Sequence, residues 1–330
     1  MNENALEVLE QYDFEVYRSW RGRGVYFLDT SRGLHMLKEH RGSEEKMEKI
    51  FEVLSSLEHV QFFKTDLPVR TKEGQFLVKD SEEVSYVLKK WHEGRECDPK
   101  SELDVCRSME GLGIFHTQAK DIWTFDEELR EKYEGSNLIC EMKKHTRELK
   151  KVQTFIRKKH KKSAFESAYL EVIPAFLEEA ENICCKMQDS GYEEVRREAL
   201  EEGKICHGEF MQHNVLFDRS KLILTNFEHA HLDIQCVDVA LFIRKVMEKQ
   251  GWRVSQGEKF LRSYEVIRPL GEKERQILAF RMSYPEKLWK LANHYYHTNK
   301  AWIPAKNLEK LKTFVGQQKE RERFVERVLL

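Results

Sequence analysis

The sequence predicts an α+β fold with two lobes, a small β-rich lobe at residues 1–92 and a large helical lobe at residues 93–330. Three observations lead to this fold class. Short apolar runs separated by turn residues, which are typical of strands, dominate the chain up to about residue 91. From Ser101 onward the apolar residues recur mostly with the three- and four-residue spacing of amphipathic helices. A polar loop followed by two strand-like runs interrupts that helical pattern at residues 206–228.

The composition indicates a soluble globular protein of 330 residues, 34% charged and 40% apolar, with a formal net charge of -1. No apolar run approaches the roughly 20 residues that a membrane-spanning helix needs, and the acidic N-terminus lacks the basic start of a signal peptide. The seven cysteines form no CxxC pair, so we expect reduced thiols in a protein made in the cytoplasm. Because the net charge is close to zero, nucleic acid is not an expected partner.

The first part of the chain predicts a small antiparallel sheet over residues 14–38. Residues 25–28 and 34–38 are strand-like, and the turn residues 29–33 separate them. Just before the first strand, Gly22 and Gly24 allow a close approach of the backbone to a ligand.

The elements that follow complete the predicted small lobe. Ser43 is the expected cap of a helix that runs to about Glu58. Further strands are predicted at 75–78 and 84–91, and residues 92–96 read as the connection to the helical lobe.

The second part of the chain is predicted to be helical almost throughout, with Pro269, Pro285 and Pro304 as breaks. The expected helices cover 103–120, one or two segments within 127–160, then 164–190, 192–202, 237–250 and 271–330.

The polar stretch at 206–228 carries the spacing of a phosphoryl-transfer site. An acid is followed five residues later by an amide and twelve residues after that by a third oxygen-bearing side chain, at Glu209, Asn214 and Asn226. In that chemistry the acid orients the attacking hydroxyl group, and the two later side chains hold Mg²⁺ against the phosphates.

The order of these parts resembles the protein-kinase-like fold, in its aminoglycoside and choline phosphotransferase branch. The residues that carry the resemblance are His207-Gly208-Glu209 with Asn214, similar to an H-G-D-x-x-x-x-N loop, Asn226-Phe227-Glu228, similar to a D-F-E metal segment, the strand lysine Lys38, and Asp238-Val239-Ala240. The resemblance implies a two-lobed protein-kinase-like fold that uses ATP and Mg²⁺.

The chain is more closely similar to the bacterial spore-coat CotS-type kinase-like family. The segments that carry this similarity are 37–45, 93–97, 206–215 and 284–296, so it extends over nearly the whole chain. It implies a protein made in the cytoplasm of a sporulating bacterium and then carried into the spore coat, with spore-coat proteins as partners.

The resemblance also implies roles for single residues. The implied catalytic residues are Glu209 and His207, the implied nucleotide-binding residues are Lys38, Gly22, Gly24 and Glu93, and the implied metal ligands are Asn214, Asn226 and Glu228. A glutamate of the first helix, Glu45, Glu48 or Glu52, is expected to orient Lys38.

Two residues depart from the family pattern, and both stand at positions that take part in phosphoryl transfer. Glu209 is longer by one methylene than the aspartate of the pattern, a displacement that costs on the order of 10²-fold in a positioned step. Asn226 is neutral where a metal site normally relies on carboxylates, and Glu228 compensates for this only in part. Together these changes favour an impaired kinase or a pseudokinase, with weak binding of ATP and Mg²⁺.

A basic stretch at 143–162 offers a different function, because it carries ten Lys and Arg among twenty residues with apolar residues interleaved. It is either a binding surface for nucleic acid or another polyanion, an acidic partner or anionic lipid, or a solvated helix face balanced by neighbouring acids.

Three functions are therefore weighed. The first is a structural or interaction component of the spore coat with degenerate catalytic positions. The second is an active ATP- and Mg²⁺-dependent phosphotransferase acting on a small hydroxyl compound, for which the sequence identifies no acceptor. The third is a binder of polyanions or acidic partners through the basic stretch.

Overall fold

The computed structural model describes residues 3–22, 24–120, 122–123, 127–219, 221–297 and 304–330. The described chain begins with a 3₁₀ helix at Glu3–Gln11. The elements of the first part are β1 (Val16–Arg21), β2 (Val25–Thr30), β3 (Gly33–Glu39), α1 (Glu44–Glu58), β4 (Phe63–Thr65), β5 (Leu77–Lys79) and β6 (Ser85–Lys90).

Five of these strands form one antiparallel sheet in the order β1-β2-β3-β6-β5. Because side chains alternate between the two faces of a strand, Leu28, Leu37 and Leu88 share one face, and they pack on Ala5 and Val8 of the 3₁₀ helix. The other face carries Lys38 towards the middle of the molecule. The predicted strands at 25–28 and 34–38 and the turn between them are confirmed.

Helix α1 follows β3, as the sequence predicted. Ser43 accepts a hydrogen bond at Oγ from the backbone N–H of Lys46 over 3.2 Å, which satisfies one free donor of the first turn. Met47, Ile50 and Leu54 lie on one face and are fully buried in the main core.

A second sheet lies at the centre of the chain and has the order β4-β10-β9-β7, with β7 (Arg95–Glu96), β9 (Val215–Asp218) and β10 (Lys221–Leu224). β4 runs parallel to β10, although it comes from the part of the sequence assigned to the small lobe. Two more short strands, β8 (Ile205–Cys206) and β11 (His231–Leu232), pair with each other on either side of the polar stretch. The lobe boundary between residues 92 and 93 stays a prediction.

Helices make up most of the remainder. They are α2 (Glu102–Gln118), α3 (Glu127–Tyr133), α4 (Leu138–Lys158), α5 (Ala164–Asp189), α6 (Tyr192–Glu201), α7 (Cys236–Gln250), α8 (Val254–Glu265), α9 (Glu272–Ser283), α10 (Glu286–His297), α11 (Pro304–Gly316) and α12 (Gln318–Phe324), after which a π-helical turn closes the chain at Val325–Leu329. A second apolar cluster, distinct from the main core, joins α4, α5, α10 and α11. The α+β fold class is confirmed.

The structure adds elements that the sequence pattern did not predict. Helix α8 is the largest of them, and it buries Phe260, Leu261 and Tyr264. Strands β4, β7, β8 and β11 have two or three residues each, which is too short for a periodic pattern. The predicted helical stretch 271–330 includes residues 298–303, which lie outside the described residues.

Candidate active site

Asp238, in the first turn of α7, fixes the loop that carries the predicted catalytic acid. Its carboxylate accepts hydrogen bonds from the backbone N–H groups of His207, over 2.6 Å, and Gly208, over 3.0 Å. Burial opposes its ionisation, but the hydrogen bond from His116 outweighs burial and holds the pKa of Asp238 below its usual value. Asp238 therefore acts as a fixed anchor for the backbone of this loop.

His116 of α2 supports this anchor from behind. Its Nε2 lies 3.3 Å from Asp238 Oδ2, and its Nδ1 lies 2.8 Å from the hydroxyl oxygen of Tyr264. All three side chains are buried. Tyr264 comes from α8, so the helix that the sequence pattern missed helps to hold the catalytic loop.

His207 links the two halves of the polar stretch. Its Nδ1 accepts the backbone N–H of Glu209 over 3.2 Å, and its Nε2 donates to the carbonyl of Thr225 over 3.1 Å. This pattern requires a neutral ring protonated at Nε2, and burial lowers the pKa of His207 in agreement with it. Both ring nitrogens are bound to the backbone, so the geometry assigns His207 a positioning role, and its catalytic role stays a prediction.

Gly208 permits the close contact between the loop and the segment that follows β10. Its φ is +79°, and a Cβ atom there would lie 2.2 Å from the carbonyl oxygen of His229. A side chain cannot occupy that space, and left-handed backbone also favours glycine. The motif glycine therefore brings residues 207–209 against residues 227–231.

The predicted acid, the predicted metal position and the predicted phosphate-binding lysine form one hydrogen-bonded chain. Asn226 donates from Nδ2 to Glu209 Oε2 over 2.9 Å and accepts at Oδ1 from Lys38 Nζ over 2.8 Å. Asn214 donates from Nδ2 to the backbone carbonyl of Glu209 over 2.8 Å. Asn226 itself has a φ of +72°, a left-handed conformation that asparagine tolerates better than most residues.

Glu228 accepts hydrogen bonds from two lysines at the same oxygen. Its Oε1 lies 3.1 Å from Lys38 Nζ and 2.8 Å from Lys89 Nζ. Lys89 also donates to Asp66 Oδ2 over 3.0 Å, and Asp66 accepts the backbone N–H of Asn226 over 3.1 Å. The side chain of Lys89 is 0% exposed and that of Asp66 is 2% exposed.

The pKa shifts of this buried group follow from burial and charge. Burial opposes the charged form of Lys89, but Asp66 and Glu228 outweigh it and raise the pKa of Lys89. Burial also opposes the charged form of Glu228, and the two lysines lower its pKa well below the usual value. For Asp66 burial dominates and raises the pKa. Lys89 and Glu228 therefore form a charged pair inside the protein.

Sequence reasoning missed both Lys89 and Asp66. Lys89 belongs to a Lys-Lys pair in a strand, and its neighbour Lys90 is 44% exposed. The period-2 alternation of β6 could have placed the two lysines on opposite faces, but nothing in the sequence shows which face is buried or what lies opposite it.

The glutamates of α1 do not orient Lys38, which corrects the prediction. Glu45 accepts from the hydroxyl of Tyr133 over 3.0 Å and also pairs with Lys132. The other two are engaged as well, Glu48 by Arg70 at 2.6 Å and Glu52 by Lys49 at 3.0 Å. All three of these α1 glutamates are therefore paired with other residues. The carboxylate beside Lys38 comes from Glu228 instead.

Helix α1 contacts residues 226–230 through a lysine. Lys46 donates a hydrogen bond to the backbone carbonyl of Ala230 and lies over the rings of Trp123 and Tyr133, at 5.4 and 5.0 Å from their centroids. Burial lowers the pKa of Lys46 to about 8. This contact joins helix α1 to residues 226–230.

The remaining predicted nucleotide-binding residues lie in the β1–β2 turn and in the connection between the two sheets. Gly22 donates its N–H to the carbonyl of Val25 over 2.9 Å and closes the β1–β2 hairpin, and a Cβ there would lie 2.6 Å from the ring of Phe27. Gly24 has a φ of +74°. Glu93 is exposed on the connection between the two sheets. The roles of Gly22, Gly24 and Glu93 in nucleotide binding stay predictions.

The predicted metal ligands do not form a ready cation site. Asn226 Oδ1 and Glu228 Oε1 already accept hydrogen bonds from ammonium groups. In the described part of the chain, no group of three or more His, Cys, Asp or Glu side chains is arranged to hold a metal ion. The residues present therefore fit Mg²⁺ poorly, because a site of this kind needs free carboxylate oxygens.

A cavity of about 490 Å³ opens beside the loop at residues 207–209. Gly208 and Glu209 form part of its wall, and it is large enough for a small organic molecule. Its acidic lining residues are Glu134, Glu141, Glu209, Asp233, Asp238 and Glu286. Arg281 and Lys290 also line it, and both form ion pairs with Glu286.

A small antiparallel sheet that carries Lys38 over an acid-and-amide loop held by a helical body defines a protein-kinase-like phosphotransferase fold. Solved phosphotransferase structures share this fold, and three of them are described below. An aminoglycoside phosphotransferase from Alicyclobacillus acidocaldarius subsp. acidocaldarius DSM 446 has a TM-score of 0.84 and 17% identity, covering 97% of this chain and 93% of that one. Spectinomycin phosphotransferase APH(9)-Ia, in complex with ADP and spectinomycin, has a TM-score of 0.62 and 9% identity, covering 98% and 96%. The amicoumacin kinase hAmiN, in complex with AMP-PNP and Ca²⁺, has a TM-score of 0.60 and 13% identity, covering 98% and 94%.

Sequence comparison defines the family more narrowly. The family described as "Spore coat putative kinase YutH" matches residues 6–328, and the chain belongs to it. Spore coat protein S of Bacillus subtilis (strain 168) is 22% identical over 338 residues, which cover 98% of this chain and 93% of that protein. The predicted resemblance to the spore-coat kinase-like family, within the aminoglycoside and choline phosphotransferase branch, is confirmed. None of the described helices is long and apolar enough to cross a membrane.

Proposed function

We propose that this chain is a kinase-like spore-coat protein with degenerate catalytic and metal positions, and that it acts mainly as a structural or interaction component of the coat. It is made in the cytoplasm of the sporulating cell and is then incorporated into the coat, where other coat proteins are its partners. The observation that carries the proposal is the bridge that Asn226 makes between Lys38 and Glu209.

This bridge depends on an amide. Asn226 donates to the Glu209 carboxylate and accepts from the Lys38 ammonium group at the same time. An aspartate at position 226 has no donor, and it would place a second carboxylate against Glu209, where like charges repel. Asparagine therefore fits the bridge between Lys38 and Glu209 better than the metal-binding aspartate of the family pattern does.

The bridge also engages the groups that phosphoryl transfer needs. Glu209 would have to accept a proton from an acceptor hydroxyl, and Lys38 would have to contact the phosphates. ATP bound with Mg²⁺ would supply the charge that positions and activates the transferred phosphoryl group, with Asn214, Asn226 and Glu228 as its ligands. In the present arrangement, binding must first break the hydrogen bonds from Lys38 and Asn226.

Nucleotide binding is therefore expected to be weak and largely independent of metal. A ligand at 100 times its dissociation constant stabilises a fold by about 2.7 kcal/mol. We expect millimolar MgATP to stabilise the wild-type protein by much less than this, and to do so equally with and without Mg²⁺. Calorimetry and thermal unfolding measure both quantities, and a large Mg²⁺-dependent stabilisation contradicts the proposal.

Coat incorporation distinguishes the structural function from an enzymatic one. Lys38→Met and Glu209→Gln each remove a group that phosphoryl transfer requires. The control is Lys90→Met, because the side chain of Lys90 is 44% exposed and pairs with Glu58 outside the site. If the role is structural, spores that carry either variant in place of the wild-type protein incorporate it normally and assemble a normal coat. Loss of a coat property in both variants, with normal incorporation and normal folding, indicates that the reaction matters.

An active phosphotransferase is the second candidate, and the cavity beside Glu209 favours it. The cavity is open to a small hydroxyl compound, and Asp238 holds the catalytic loop in place. In that case ATP consumption with an acceptor reaches the roughly 1–100 s⁻¹ that is usual for kinases. A binder of acidic partners is the third candidate, and it is favoured by the exposed basic face of α4.

A further inference from the structure

Two lysines on neighbouring strands point at one carboxylate oxygen. Lys38 of β3 pairs with Val87 of β6, and Lys89 of β6 pairs with Met36 of β3, so the two lysines are diagonal neighbours on the same face of the sheet. Both ammonium groups bind Glu228 Oε1, at 3.1 and 2.8 Å. The two lysines differ in exposure, which is 31% for Lys38 and 0% for Lys89.

Lys89 is built into the fold. An ammonium group without contact to water is stable only when it is paired and hydrogen-bonded. Lys89 has two carboxylate partners, Asp66 at 3.0 Å and Glu228 at 2.8 Å. Asp66, which follows β4, also holds the backbone N–H of Asn226. One buried cation thus ties the first sheet to both ends of the segment 226–228.

The carboxyl groups of this group do not outnumber its ammonium groups. Two ammonium groups, those of Lys38 and Lys89, lie against two carboxyl groups, those of Asp66 and Glu228. Sites for divalent cations need an excess of carboxylate charge and free oxygen ligands. A divalent ion at Glu228 would have to share the carboxylate with an ammonium group that cannot leave, because Lys89 has no access to solvent.

Two oxygens of the group remain without a hydrogen-bond partner among the described residues, Glu228 Oε2 and Asp66 Oδ1. They are buried, and such atoms are normally satisfied. They mark the positions at which the group could accept a further cation once the charge of Lys89 is removed.

We propose that the buried ammonium group of Lys89 replaces a divalent metal ion as the cation bound to Glu228. In the absence of metal it holds residues 226–228 against the first sheet. The inference rests on the proposed function in one respect, since it takes 226–228 to be the metal segment. Lys38 is a movable counter-charge beside it, and Lys89 is the fixed one.

The test is divalent-cation binding by nucleotide-free protein. Mn²⁺ is the probe, because it accepts carboxylate and carbonyl oxygens and the free ion is measured by electron paramagnetic resonance. We expect wild type to bind Mn²⁺ only weakly and Lys89→Met to bind it at least tenfold more tightly. Adding Glu228→Gln to Lys89→Met is expected to abolish the gain. Lys90→Met removes the same charge from the next residue of the strand, whose side chain is 44% exposed and pairs with Glu58 outside this group, and it should leave Mn²⁺ binding unchanged.

A second variant covers the case in which Lys89→Met does not fold. Lys89→Met combined with Asp66→Asn removes a buried cation and a buried anion together, so that no unpaired charge of that pair is left behind. Lys38 is partly exposed and can turn away from Glu228, so this double variant should also gain Mn²⁺ binding of at least tenfold. A folded double variant that binds Mn²⁺ no better than wild type overturns the inference. Tight Mn²⁺ binding by wild type that Glu228→Gln abolishes overturns it as well.

These outcomes are independent of the proposed function. ATP turnover at an ordinary kinase rate by wild type would remove the structural function and leave the Mn²⁺ comparison in nucleotide-free protein intact. Conversely, failure of Lys89→Met to gain Mn²⁺ binding would leave the coat-incorporation experiment unaffected.

Discussion

The side-chain amide of Asn226 donates a hydrogen bond to the carboxylate of Glu209 over 2.9 Å, and this contact exists only because one partner is neutral. The two residues are the two departures from the phosphotransferase pattern. The two departures explain each other. Asn226 supplies a donor for the Glu209 carboxylate, and the longer glutamate side chain reaches this donor more closely than an aspartate would. The first two predictions follow from this pair.

The single change Asn226→Asp is expected to destabilise the protein by about 1–3 kcal/mol, because it replaces a donor by a second carboxylate and leaves Glu209 Oε2 without its partner. Urea unfolding without divalent cations measures the loss. A matched control exchanges the two chemistries, since Asn226→Asp with Glu209→Gln restores one donor and one acceptor. If the exchanged pair is no more stable than the single variant, the hydrogen bond is not the cause.

The double change Glu209→Asp with Asn226→Asp is expected to raise ATP turnover well above that of wild type. It restores the shorter acid and a second metal carboxylate, and residues that act as one catalytic unit are not additive, so each single change should do less. Steady-state ADP release in the presence of Mg²⁺ is the measurement. Turnover by wild type at an ordinary kinase rate contradicts the premise that these two positions impair the site.

Gly208 and Gly24 have similar φ angles but different surroundings. Replacing each by alanine therefore separates the cost of backbone strain from the cost of a steric clash. Gly208→Ala is expected to cost about 2–5 kcal/mol, since its φ of +79° is unfavourable for alanine and its Cβ would lie 2.2 Å from a backbone oxygen. Gly24→Ala, with a φ of +74° and no described atom within 4 Å of the new Cβ, should cost only about 1–2 kcal/mol. Denaturant unfolding compares them, and equal losses would mean that the contact with His229 has no energetic role.

The raised pKa of Asp233 predicts that the free energy of unfolding changes between about pH 4 and pH 6. Burial raises its pKa from 3.8 to about 6, although His231 and Arg196 lie 3.9 and 3.8 Å away. The folded state then binds more protons than the unfolded state in this window, so this group lowers the unfolding free energy as pH rises, by at most about 3 kcal/mol. Asp233→Asn removes that loss and keeps an oxygen for the N–H of Ile234.

The expected result for Asp233→Asn is a stability difference from wild type that grows in favour of the variant from pH 4 to pH 6. Asp218 is the control of opposite sign. The hydrogen bond from Lys64 lowers the pKa of Asp218, so its contribution is present at higher pH and is lost as pH falls. Parallel unfolding curves of wild type and Asp233→Asn over the whole window contradict the assignment.

The exposed basic face of α4 is expected to bind an acidic coat partner. Lys144, Arg147, Lys151 and Lys158 are exposed and form no ion pair within the described part of the chain. Changing these four residues to glutamate should leave folding intact and abolish coat localisation. In solution, binding should weaken steeply with salt, because screening shortens to about 8 Å at physiological ionic strength. If the folded variant still localises to the coat, this face is a solvated surface and not a binding site.

Two lysines of the same stretch belong in a separate control. Lys150 pairs with Glu181, and Lys159 pairs with Glu166 over 2.6 Å. Glu166 is buried and completes the capping box of α5 with Ser163. Lys159→Glu is therefore expected to lower stability by itself, and a loss of localisation in that variant would report misfolding.

The sequence by itself determined the elements whose signals are local. Ser43 and Ser163 cap the helices that follow them because a cap needs only a side-chain oxygen and three neighbouring N–H groups. The hairpin of β2 and β3 follows from the turn at its centre. The spacing from Glu209 through Asn214 to Asn226 brought these residues together, because both flanking strands are short and their hairpin is tight.

The tertiary structure alone decided which charges meet. Lys38 bonds Asn226 and Glu228, which follow it by 188 and 190 positions, so no local pattern could have excluded the glutamates of α1 as its partners. Lys89 and its neighbour Lys90 are the same residue type in one strand, yet one is fully buried and the other half exposed. Burial of a lysine depends on carboxylates placed opposite it, here Asp66 and Glu228, and their approach is a property of the packed sheets and not of the strand.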